Sequence, residues 1–240
     1  MSKLQRWYDS ETRLKILRRT AKEVRSYAVQ RKVLTTALAC LTLLTTIMYL
    51  SAALYKNSGS FTVSVDKVEM TKYGLSLSET RDMAYATSHL NAKINEHMTN
   101  ISGETLPKNL DMIDGEHNGV NHIAYTFYLQ NVGEKELSYE YNLVISNISN
   151  QLDEAIRVRL YVDGVPTDYA KTASDGSGAE PGTTEFYSAN IVAKGRTDNF
   201  KSGDITKFTV VVWIEGDDPD CVDDRIGGEM KLEMNTSVVH

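Results

Sequence analysis

The residues best equipped for chemistry lie close together near the C-terminus. Glu215, Asp217, Asp218, Asp220, Asp223 and Asp224 place six carboxylates within ten residues. A turn rich in carboxylate oxygens can surround a hard cation, so Asp217, Asp218, Asp220, Asp223 and Asp224 are candidate ligands for calcium. The spacing is not that of an EF-hand: Val222 stands at the fifth position counted from Asp218, and no glycine makes the turn. The competing reading is a solvated acidic turn neutralised by Arg225 and nearby lysines. His117 and His122 flank Asn118-Gly119-Val120-Asn121 and form a second candidate metal pair, set against exposed loop histidines. His89 and His97 fall in a less regular stretch. No His-Glu-x-x-His segment exists to hold a zinc and its base, no Gly-x-Ser-x-Gly turn presents a nucleophile, and Cys221 has no neighbouring histidine to activate it. The expectation is therefore a protein that is not an enzyme, with calcium the only cofactor to consider.

The elements that must position these residues read as strands. Period-two alternation marks Phe61, Val63 and Val65; Ile123, Tyr125, Phe127 and Leu129; and Tyr139, Tyr141, Leu143 and Ile145. It recurs at Ile156, Val158, Leu160 and Val162, at Phe208, Val210, Val212 and Ile214, and at Met230, Leu232 and Met234. Asn131-Val132-Gly133, Asp163-Gly164, Gly203-Asp204 and Gly227-Gly228 supply turns. The fold class expected is all-β: an antiparallel β-sandwich, jelly-roll-like, over residues 61–240. Within it, Arg157, Arg159 and Tyr161 alternate away from Val158 and Leu160 and should face solvent. Trp213 alternates to the face opposite Val212 and Ile214, where it packs under a loop or forms a binding aromatic. Residues 78–116 break the pattern, with Ser78 to Met98 reading as a short helix and Asn100 to Glu116 as an irregular insertion. The stretch 173–178 reads as a surface loop.

Ahead of this domain, residues 33–54 carry no charge. Twenty-two helical residues reach about 33 Å, enough for a hydrocarbon core of about 30 Å. Residues 1–32 hold ten Lys/Arg against three Asp/Glu, whereas the rest of the chain is acidic. The positive-inside rule then places the N-terminus in the cytoplasm and residues 55–240 outside, in a single-pass cell-membrane protein. Cleavage after Ala53 would instead release a secreted domain. Threonines within the span can bond their own helix backbone. Leu14, Leu17, Ala21, Val24 and Ala28 recur at helical spacing among Lys15, Arg18, Arg19, Lys22 and Arg25, so residues 1–32 read as a basic amphipathic helix with Ser10 as N-cap. It would lie on the inner leaflet, pair with a partner helix, or simply set orientation. Residues 55–60 form a polar linker. An acidic outer domain repels phosphate, which excludes nucleic acid as a partner.

Cys40 and Cys221 are the only cysteines, one in the span and one outside, so no intrachain disulfide is expected. A disulfide-free outer domain suits a Gram-positive envelope. The segments Phe208-Thr209-Val210-Val211-Val212-Trp213-Ile214-Glu215-Gly216-Asp217-Asp218-Pro219-Asp220-Cys221, then Gly227-Gly228 and a last alternating strand, resemble the end of Gram-positive surface proteins of the camelysin/TasA group. Phe127-Tyr128-Leu129-Gln130-Asn131-Val132-Gly133 resembles a strand and turn of the same group. The resemblance covers about half of the outer domain. It implies a jelly-roll-like sandwich exported behind an apolar segment, a role as a biofilm-matrix or surface subunit, and association with other envelope proteins or itself through strand edges. Camelysin is described as a protease, a distant alternative here. A tethered module that recognises an extracellular partner is the nearer alternative. The strand Phe61–Val65, following the linker, is the expected exposed edge for pairing.

Overall fold

In the computed structural model the described residues are 3–56, 60–93 and 98–239, with side chains described for 24–50, 60–93 and 98–239. The chain divides into two compact units, Met1–Lys56 and Asn57–His240.

The first unit is one unbroken helix, α1, from Lys3 to Lys56. The basic and apolar segments thus share a single helix, and Ser10 lies inside it rather than at its cap. Nothing between the two segments breaks the hydrogen-bond ladder: residues 3–56 contain neither proline nor glycine. The stretch Val24–Leu50 is long and apolar enough to cross a membrane. Its threonines satisfy themselves on the backbone. Thr35 donates to the Arg31 carbonyl at 2.9 Å, Thr36 to Lys32 at 2.8 Å and Thr46 to Thr42 at 2.8 Å. Such hydroxyls leave no unmet hydrogen bond on the helix surface.

The second unit is mainly β. Its strands are β1 (Phe61–Val65), β2 (Leu75–Ser78), β3 (His89–Ala92), β4 (Gly115–Glu116), β5 (His122–Asn131), β6 (Leu137–Ile148), β7 (Ile156–Val162), β8 (Val165–Ala170), β9 (Thr184–Glu185), β10 (Ile191–Phe200), β11 (Ile205–Ile214) and β12 (Met230–Val239). One sheet has the order β10-β6-β12-β1-β3, the other β2-β5-β11-β7-β8-β9 with β4 paired to β5. Both sheets are mixed, not purely antiparallel. β1 runs parallel to β12 and β8 parallel to β9. Neither pair is joined by a hairpin, so no turn forces the two strands to oppose. β1 is also an inner strand, flanked by β12 and by β3, and so is not the exposed edge its sequence suggested. The strand that covers it, β3, comes from the region whose polar alternation concealed it.

One core draws on both sheets, with Phe61, Val63, Leu232 and Met234 from the first and Tyr125, Phe127, Leu129, Phe208 and Val210 from the second. Phe127 and Phe208 stack at 5.3 Å between ring centroids, and Phe61 meets Tyr125 edge-on at 5.7 Å, geometries aromatic pairs prefer.

Residues 78–116 depart from expectation twice. The described part of 78–98 holds no helix and contributes β3, while 101–113 lies over the outer face of the second sheet. Leu106 and Leu110 pack there with Ala124, Tyr161, Val211 and Trp213. That cover is why β5 is buried on both faces and why Tyr161 is buried, contrary to the solvent-facing expectation. Arg157 is buried as well; Arg159 is half-buried, its guanidinium bidentate on Asp168 at 2.6 and 2.8 Å.

Between β1 and β2 lies a short helix, α2 (Lys67–Tyr73), that no expectation placed there. Asp66 caps it by accepting from Val68 N at 2.7 Å, and Gly74 closes it in the left-handed region at φ 76°. Gly74 sits against Gly133 so closely that a Cβ on Gly74 would lie 2.3 Å from the Gly133 nitrogen.

Candidate functional site: the acidic loop and its arginine

β11 ends at Ile214 and delivers the chain into the loop 215–229, where its side chains divide by environment. Asp217, Asp223 and Asp224 are exposed, the last two on a single 3-10 turn, Asp223–Arg225. Glu215 turns back to the outer face of the sheet, where its Oε2 accepts from Trp213 Nε1 at 2.9 Å and from Gly103 N at 3.0 Å. Trp213 is therefore buried under the insertion and is not a binding aromatic. Asp218 is buried: its Oδ1 accepts from the Asp220 backbone at 2.7 Å, and its Oδ2 lies 2.5 Å from Arg157. Asp220 accepts from Ser174 Oγ at 2.6 Å.

A residue outside the acidic run completes the group. Glu180, on the loop between β8 and β9, is buried and stands 3.5 Å from Arg157. The ligand oxygens of Glu180, Asp218 and Asp220 all fall within 4.8 Å of one another. Of the five candidate ligands the fold thus gathers two, Asp218 and Asp220, with Glu180 added and with Asp217, Asp223 and Asp224 left outward. The only sequence signal for Glu180 is its place after the Gly/Ser-rich loop 173–178, which alone says nothing of where that loop folds.

The electrostatics follow from three carboxylates around one guanidinium. Burial, and then the Asp218 carboxylate, raise the pKa of Glu180 above the ordinary glutamate range, with Arg157 pulling the other way. Arg157 belongs to β7, so the cluster ties that strand to two loops, 171–183 and 215–221. Neutralisation comes from Arg157 and not from Arg225, which donates to Gln151 Oε1 at 2.8 Å. Chemically the arrangement can brace the loops, and its surplus of carboxylate over guanidinium can accept a cation.

The histidines do not share this site. His117 Nδ1 is 2.8 Å from the Gly115 carbonyl, while the buried His122 ring fills the space beside Gly119. Burial, then the charge of His117, lowers the His122 pKa. Among the described residues, no third ligand joins this pair. His89 lies in β3, and His97 falls outside the described residues.

No family model matches the sequence, and no curated protein matches it. Among solved structures the chain is similar to a selenomethionine-labelled β-glucosidase from Kluyveromyces marxianus, at 11% identity over 47% of this chain and 12% of that one, with a TM-score of 0.24. A β-glucosidase from the same organism in complex with glucose gives 12% identity, 73% and 17% coverage, and a TM-score of 0.25. The chain therefore spans only a small part of those enzymes, and a likeness so slight carries no functional argument.

Proposed function

We propose that this chain is a membrane-anchored extracellular protein of a bacterial cell envelope, a jelly-roll-like β-sandwich that acts by association with envelope proteins or with further copies of itself. The N-terminus is cytoplasmic and the β unit external, as the basic residues before the span and the acidic domain after it favour. The observation that carries the assembly role is the placement of β1. It directly follows the linker after α1, pairs with β12 without any hairpin between them, and buries Phe61, Val63 and Val65 in the core. A strand held only by its ladder and its side chains can be supplied by a second copy at little cost in contacts, since each lost pairing is remade between chains. The tethered binding module is the alternative, and it needs no exchange.

The register supplies the test, because Ser64 stands opposite Asn235 with Oγ and Oδ1 2.8 Å apart. With Cys40 and Cys221 replaced by serine, Ser64→Cys together with Asn235→Cys should give interchain disulfides on oxidation in membranes. Exclusively intrachain bonds would leave the binding module. A second reading applies to the acidic cluster: calcium bound by Glu180, Asp218 and Asp220, favoured by the converging oxygens.

A further inference from the structure

One end of the β unit is defined by where the chain enters it. Leu232 N donates to the Ser60 carbonyl at 2.9 Å, and Phe61 stands opposite both Leu232 and Ala92. The loops at this end are tied to one another. Asn118 Nδ2 donates to the Lys93 carbonyl at 2.8 Å, Thr99 Oγ1 to Asn121 Oδ1 at 2.8 Å, Asn100 Nδ2 to Cys221 Sγ at 3.3 Å and Asn150 Nδ2 to the Ile226 carbonyl at 3.1 Å. Together they raise three branched aliphatic side chains into solvent: Val120 at 80% exposure, Val222 at 46% and Ile226 at 77%.

We infer that this end docks on the phospholipid headgroup layer of the membrane crossed by α1, with Val120, Val222 and Ile226 as the inserting side chains. The inference rests on the membrane-anchored reading. Its occupant follows from chain length: only residues 57–59 separate Lys56 from Ser60, and four peptide steps reach at most about 14 Å. Over so short a tether the lipid surface is present at a high effective concentration, so a contact too weak to form in free solution becomes populated. Apolar side chains on loop tips gain by leaving water, as at the apolar face of interfacial segments. Val132 and Val165 are also exposed, but they lie at the opposite end, beyond the Asn131 and Val162 ends of β5 and β7, where the chain holds no lipid near them. The contact is apolar and not electrostatic. Asp217, Asp223 and Asp224 are exposed on the same loop as Val222 and Ile226, and anionic headgroups repel them.

The test uses the full chain, with Cys40→Ser and Cys221→Ser, reconstituted in phosphatidylcholine vesicles carrying headgroup-labelled spin-quencher lipid. An environment-sensitive fluorophore is placed at Ile226→Cys in one preparation and at Val165→Cys in another, both exposed positions. Flotation of the vesicles reports whether α1 inserts, independently of the fluorophore. Docking predicts several-fold stronger quenching at 226 than at 165, reduced when Val120→Glu and Val222→Glu are added and reduced again when half of the lipid is anionic. Floating protein with equal or no quenching at the two positions overturns docking while leaving the anchor intact. A fluorophore at 226 shielded from water but not quenched by lipid marks a protein partner and also overturns it. Protein that fails to float overturns the anchored reading together with this inference.

Discussion

The guanidinium of Arg157 lies 2.5 Å from Asp218 Oδ2, with both side chains almost wholly buried. A strand residue that alternates to the outer face thereby becomes the centre of the acidic loop. Two charges removed from water stabilise only as a pair, and loss of one leaves the other uncompensated. Arg157→Ala and Asp218→Ala are each expected to cost about 3–5 kcal/mol by denaturant unfolding. Replacing both, as Arg157→Met with Asp218→Leu, should recover most of that loss. Additive losses in the double variant would show that the pair is not coupled.

The raised pKa of Glu180 sets a sign for its pH dependence. A carboxyl whose folded pKa lies above its unfolded value favours folding while protonated, and that contribution is lost as pH rises through the folded value. Relative to the parent, Glu180→Gln should therefore be more stabilising near neutral pH than below about pH 4, where the parent residue is already protonated. Melting curves at the two pH values decide it; an equal difference at both would contradict the burial and carboxylate crowding described.

Calcium should act on the same residue. Binding to the folded state alone raises the melting temperature with free calcium by mass action. The shift is expected in the parent chain at millimolar calcium and absent in Glu180→Gln. Identical melting curves in calcium and in chelator would leave Arg157 as the only cation the cluster holds.

His122 has the opposite sign. Its pKa is lowered by burial and by His117, so its contribution is present above the ordinary histidine value, about 6.5, and is lost as pH falls through the depressed one. His122→Phe keeps a ring against Gly119 and has no proton to take up. Its stability should fall less than the parent's on acidification from pH about 7 to about 5. A parallel fall would place the sensitivity elsewhere.

At Gly133 the constraint is space. A Cβ there would meet the Tyr73 carbonyl at 2.2 Å, a backbone atom that cannot step aside without moving the end of α2. Gly133→Ala should destabilise by roughly 1–3 kcal/mol, the range for forced overpacking, as read by chemical denaturation. The same change at Gly176, where a Cβ meets nothing within 4 Å, is the control for the method, although its φ of 76° adds local strain.

The strands with apolar alternation on one face, such as Phe61–Val65 and the Met230, Leu232 and Met234 part of β12, were legible from sequence because a period of two under one-sided burial is a local property of the chain. So was the membrane-length helix, which needs only an uninterrupted apolar run. Tertiary structure decided the rest. Arg157 and Tyr161 could not be read as buried, because what covers Tyr161 arrives from Ile101–Ile113, some fifty residues away and without periodicity, and what surrounds Arg157 comes from the loops that carry Glu180 and Asp218. Glu180 joined Asp218 and Asp220 only through the path of a loop whose Gly and Ser residues fix no direction. β1 proved to be an inner strand because β3, polar in sequence, closes over it. In each case the burial of a residue depends on which distant segment folds against its outer face, and a local pattern records only the face turned toward the core.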